Sequence, residues 1–130
     1  VGQELFQEGL LALWVGRCAI TGVDEPALLR ASHAKPWKDA SDSGRLDVYN
    51  GLLLAAHRDT AFDEGLITLD ENGVVIPSAK LSDETLAVLG LTKIGTKIGA
   101  LNRQVVPLRP QHQPYMAWHR THVLRNSRPL

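Results

Sequence analysis

The sequence predicts an α+β domain, and three observations predict it. Phe6, Leu10, Leu13 and Trp14 recur at i, i+4, i+7 and i+8, the spacing of one helix face. Two short runs, Leu28 to Ala34 and Leu52 to Ala56, are bounded by Pro36 and by Asn50-Gly51 and read as strands. Asp70-Glu71-Asn72-Gly73 separates Leu66–Leu69 from Val74–Ile76, and Asn-Gly supplies the positive φ of a hairpin turn.

Each element has its own signal. The amphipathic helix over Gly2 to Trp14 stops at Gly16, and Cys18-Ala19-Ile20 reads as a short apolar strand before a turn that runs from Thr21-Gly22 to Pro26. His33 sits near the end of the strand that Pro36 stops. Trp37 to Tyr49, rich in Asp, Ser, Lys and Gly, reads as a loop of a length that is usually functional or disordered. Leu52 to Ala56 has no polar alternation, so it is expected to be covered on both faces. Arg58 to Glu64 is a short helix ended by Gly65. Ser82 caps a helix over Asp83 to Leu89, with acids at its positive end. Gln104 to Leu108 reads as a strand, and Pro114 to Leu124 as a closing helix with Tyr115, Trp118, His122 and Val123 on one stripe.

At 130 residues, 44% hydrophobic and 22% charged, the chain has the size and composition of one globular domain. The lone Cys18 forms no internal disulfide and rules out a cysteine-rich zinc knuckle, which suggests a reducing, cytoplasmic setting. No apolar run reaches membrane-spanning length, and no signal-peptide pattern opens the chain. It begins at Val1 inside a helix pattern, which is expected of a piece of a longer protein lacking amino-terminal partners. The net charge is zero but unevenly spread. Residues 1–91 hold all 14 acids and seven Lys/Arg, while residues 92–130 hold seven Lys/Arg and no acid. That asymmetry fits a basic carboxyl-terminal extension facing a polyanion, or one packed on the acidic part.

Chemistry concentrates between Leu28 and Gly65. His33 titrates near neutral pH and can serve as a general base. Asp59 and Asp63 stand four residues apart, so a helix puts them on one face, where their oxygens suit a hard divalent cation. Lys35, Lys38 and Arg58 lie near them in sequence and are expected to meet phosphates. This combination suits metal-dependent phosphodiester hydrolysis.

The ordered set SHAKP…YNGLLLAAHRDTAFDEGL resembles the His-Asn-His (HNH) endonuclease family, of the ββα-metal fold, and most of all the branch found in bacterial putative restriction endonucleases. The likeness is strongest over Arg17 to Leu69 and weaker over YMAWHRTHVLR. It implies a single α+β domain with a ββα-metal core at about residues 17–69, flanking helices and an extra hairpin. Within it, His33 matches the family's base and Asn50 the middle asparagine that orients it. Asp59 matches the helix metal ligand, Asp63 a further ligand, and His57 the nominal last histidine. The cofactor implied is Mg²⁺ or Mn²⁺, and the partner DNA, with RNA open. Target choice would come from a missing amino-terminal specificity domain or from a homo-oligomer. The biological setting implied is restriction or defence.

Two departures stand out. Ser32 occupies the position before the base, where many members carry a metal-binding acid or histidine. Ala55 and Arg58 stand where structural-zinc cysteines would fall, so no structural zinc is expected. The alternative is therefore a catalytically degenerate HNH-fold module that binds DNA or protein. His112, His119 and His122 are expected to be structural or surface residues.

Overall fold

The computed structural model describes residues 2–90 and 108–125. Its elements are α1 (Gly2–Leu13), β1 (Leu29–His33), α2 (Asp42–Leu46), β2 (Gly51–Ala55), α3 (Ala56–Asp63), β3 (Ile67–Leu69), β4 (Val75–Pro77), α4 (Asp83–Val88) and α5 (Gln113–His122). Short 3₁₀ turns occupy Pro26–Leu28, Trp37–Asp39 and Pro110–His112. The α+β class and the extra hairpin are as expected.

β1 and β2 pair antiparallel, with Leu29 opposite Ala55, Ala31 opposite Leu53 and His33 opposite Gly51. A lone two-stranded sheet is marginal in water. Here both faces are covered, and every residue of β2 is buried. Phe6 and Leu10 of α1 and Ala61 and Phe62 of α3 join Leu52, Leu53 and Leu54 in one core. Each large apolar side chain buried this way contributes roughly 1.5–3 kcal/mol. The β2–α3 junction is direct, so the position of α3 is fixed by the strand that precedes it.

The second hairpin pairs Ile67 with Pro77 and Leu69 with Val75, and Gly73 takes the positive φ of 79° that its turn requires. α5 closes the far side. Gly65 ends α3 at φ 71°, and its carbonyl accepts the Arg125 N–H at 2.8 Å. A Cβ at that position would collide with the Val123 carbonyl, so glycine is required there.

Three expectations are corrected. Cys18 to Ile20 is not a strand: Gly22 N–H bonds back to the Cys18 carbonyl, closing a turn, and only Ala19 N–H reaches the sheet at Leu53. Trp37 to Tyr49 is not irregular throughout, because it contains a 3₁₀ turn and α2, capped by Ser41 Oγ accepting from Gly44 N–H. On α5 the buried side chains are Met116 and His119, not the predicted stripe, and His122 is exposed. Most of the expected Gln104–Leu108 strand and of the basic extension lies outside the described residues.

His119 is a strut between three elements. Its Nε2–H donates to the Phe62 carbonyl (2.8 Å), its Nδ1 accepts from Thr68 Oγ1 (2.7 Å), and its ring stacks on Phe62 at 3.8 Å. Burial lowers its pKa to about 4; the Phe62 carbonyl opposes this and Arg120 adds to it. In the unfolded chain it titrates near 6.5. The folded state therefore resists a proton that the unfolded state accepts. This stabilisation is complete above the unfolded pKa and is lost as pH falls from there toward 4, about 3 kcal/mol in all. Urea unfolding should show stability declining over that interval, and His119→Gln should flatten the decline. An unchanged decline in His119→Gln would assign it to other groups.

Candidate active site

Side chains alternate along β1, so His33 shares a face with Ala31 and Leu29, while Ser32 shares the opposite face with Arg30. α1 covers the first face and α3 the second. His33 therefore stands at the end of β1 on the α1 side, and Asp59, in the first turn of α3, on the side of Ser32.

His33 is half-buried. One ring nitrogen, Nε2, lies 2.9 Å from the Arg45 carbonyl. A carbonyl only accepts, so Nε2 carries the proton and Nδ1 keeps a lone pair. Burial pulls the imidazole pKa below its ordinary value, and the carbonyl partly opposes this. Burial favours the neutral ring, and the carbonyl fixes its orientation. Arg45 is itself fixed: its Nε donates to the Trp37 carbonyl (2.8 Å), and its guanidinium lies over the Trp37 ring.

Asn50 is fully buried and ties the two ends of the connecting segment together. Its Oδ1 accepts from Lys35 N–H (2.7 Å), and its Nδ2 donates to the carbonyls of Lys35 (3.1 Å) and Gly44 (3.0 Å). Gly44 immediately precedes Arg45. One peptide unit thus separates the carbonyl that Asn50 holds from the carbonyl that holds His33.

Asp59 is partly buried in the first turn of α3. Burial raises its carboxyl pKa. The Ser32 hydroxyl alongside lowers it, Asp63 one turn on raises it, and Arg30 lowers it. Ser32 Oγ is buried with no hydrogen bond of closed geometry. Asp63 is exposed. Asp59 also opens onto a groove of about 410 Å³ whose lining includes Gln3, Glu4, Gln7, Arg30 and Ala31.

The oxygen donors of Asp59 and Asp63 fit a hard cation. Asp63 disfavours charge on Asp59, and a cation between them would relieve that repulsion. The expected third ligand is not brought in. Among the described residues no group of three or more His, Cys, Asp or Glu converges on one point. His57 is exposed, and its Nε2 accepts a hydrogen bond from Arg58 Nε at 3.1 Å.

The phosphate-facing set changes as well. Arg58 is 5% exposed and packs inward, so its guanidinium is not presented to a nucleic-acid backbone. Lys38 is exposed, and Lys35 Nζ lies over the Trp118 ring at 5.4 Å. The residue that sequence reasoning passed over is Arg30. Its guanidinium is braced by the Ala27 (3.0 Å) and Leu29 (2.8 Å) carbonyls at the groove beside Asp59. Its place two residues before Ser32 on a strand was the available signal, because period two puts both on one face. Of the remaining histidines, His112 is buried with Nδ1 accepting from Arg109 N–H, and His122 stacks on Trp118 at the surface.

Residues 18–70 match the family model described as HNH endonuclease. Among solved structures, a modification-dependent TagI restriction endonuclease is similar, with a TM-score of 0.54 at 18% sequence identity. The alignment covers 92% of this chain and 37% of that one, so the chain spans little more than a third of that structure's length. No curated protein matches the chain.

Proposed function

We propose, from the HNH endonuclease core at residues 18–70, that the chain hydrolyses phosphodiester bonds in DNA, with His33 as general base and a divalent cation on Asp59 and Asp63. The observation that supports this reading is the His33–Arg45 hydrogen bond, which in the neutral ring leaves the lone pair on Nδ1. His33 Nδ1 takes a proton from water as the water oxygen bonds to phosphorus. The bond to the 3′ oxygen breaks on the opposite side, and that oxygen is protonated from solvent. A Mg²⁺ or Mn²⁺ ion, when bound, stabilises negative charge on the phosphate and on the departing oxygen. Asn50 keeps the Gly44–Arg45 carbonyls in place and so keeps the imidazole aimed. Arg30, Lys38 and Lys35 supply positive charge for the phosphate backbone, which fixes position without reading sequence. Restriction or defence in the cytoplasm suits such an activity, with target choice supplied by a further domain or a second copy.

A second reading, a DNA- or protein-binding module that retains the fold without catalysis, is favoured by one observation: no three ligands converge among the described residues. Metal binding separates the two. Mn²⁺ titration followed by electron paramagnetic resonance should show a bound ion in the wild type, weakened at least tenfold in Asp59→Ala on the scale of a lost metal contact. Wild type and Asp59→Ala binding Mn²⁺ equally weakly would support the second reading.

A further inference from the structure

We infer that Phe6, on a helix preceding the family-matched segment, is the positioning residue for the His33 imidazole, in a seat kept open by Gly51. The inference rests on the reading of His33 as the base. The two rings stack nearly parallel, with centroids 3.8 Å apart and planes 9° from each other. Phe6 is fully buried, so its ring is held by the core. Trp37 meets His33 edge-on, with centroids 5.8 Å apart and planes at 80°. The Arg45 carbonyl pins Nε2. These contacts fix the tilt and rotation of the imidazole, and among the described residues Nδ1 has no hydrogen-bond partner.

Gly51 makes the seat possible. It lies directly opposite His33 in the β1–β2 pairing. A Cβ there would come within 2.6 Å of Phe6 Cζ and would also collide with the Ser32 carbonyl. A side chain there could be accommodated only if the Phe6 ring or the Ser32 backbone shifted. α1 reaches Trp37 as well, because a Cβ at Gly2 would lie 3.0 Å from Trp37 Cη2. One helix therefore touches the base directly and also touches its second aromatic neighbour. A purely space-filling residue at position 6 would need volume, whereas a parallel stack needs a flat face.

The test compares Phe6→Leu with Leu10→Val, a substitution at a fully buried neighbour one turn further along the same helix. Phe6→Met, with a more adaptable side chain, serves as a second probe at the same site if Phe6→Leu folds poorly. Plasmid cleavage kinetics are read together with ¹⁵N chemical shifts of the His33 ring, which report the tautomer. The expected result for Phe6→Leu or Phe6→Met is kcat lower by roughly tenfold to a hundredfold, the scale of a misplaced catalytic group. KM should stay near the wild-type value, and His33 shifts should average between tautomers. Leu10→Val should lower thermal stability and leave kcat and the His33 shifts unchanged. Unchanged kcat and shifts in both Phe6 variants, beside an inactive His33→Ala, would overturn this inference alone. Full activity in His33→Ala would overturn the base assignment and this inference together.

Discussion

His33→Ala should cleave DNA roughly 10²–10⁴-fold more slowly than the wild type, the usual contribution of a general base, while remaining folded and still binding DNA. The imidazole is half-buried and contributes one hydrogen bond and its ring contacts to the fold. Removing these costs on the order of 1–2 kcal/mol, well below the 5–15 kcal/mol by which domains are ordinarily stable. The pH dependence gives an independent signature. Burial lowers the His33 pKa, so the base stays neutral to a lower pH than free histidine does. Wild-type cleavage should therefore fall with acidification only below the ordinary histidine value, because protonation removes the lone pair that accepts from water. The residual activity of His33→Ala should lack that limb. Single-turnover rates across the acidic range check both points. An unchanged rate or an unchanged limb in the variant would remove His33 from the reaction.

Asn50→Ala is expected to be the most destabilising polar substitution in the site. It leaves Lys35 N–H and the Lys35 and Gly44 carbonyls without the partner that joins them. Each such loss costs about 1–3 kcal/mol when the group is buried, so roughly 3 kcal/mol or more goes from the fold. That corresponds to a drop in melting temperature of roughly 10 °C or more. Asn50→Asp should fare no better, since it keeps the acceptor for Lys35 N–H but turns a carboxylate oxygen toward two carbonyls. Activity should fall beyond the loss of folded protein, because the Gly44–Arg45 peptide that aims His33 is released. Thermal melts and cleavage rates at a temperature where both variants are folded separate the two effects. A melting temperature within about 2 °C of the wild type would contradict the tethering role.

The paired strands and α3 were legible because their signals are local. Pro36 stops β1, Asn50-Gly51 opens β2, the unbroken apolar run of β2 announces double coverage, and Gly65 ends α3 with a positive φ. His33, Asn50, Asp59 and Asp63 are read as site residues through the family resemblance, from their order along that frame. What failed depended on rotation about an axis or on distant partners. Arg58 neighbours Asp59 in sequence, but one helical step turns it into the core. Cys18 to Ile20 looks like a strand by composition, whereas its hydrogen bonds close on Gly22. The closing helix buries His119 because Phe62 and Thr68 lie opposite it, which no local periodicity records. Arg30 was hidden by its exposed strand position, and Phe6 by lying far from the residues it serves.

Metal-dependent hydrolysis with His33 as base can be decided by incubating supercoiled plasmid with the wild type and with His33→Ala, each in Mg²⁺, in Mn²⁺ and in EDTA. Nicked or linear product is expected from the wild type with a divalent cation, none in EDTA, and little from His33→Ala under any condition. Wild-type cleavage that persists in EDTA, or His33→Ala cleaving as well as the wild type, would contradict it.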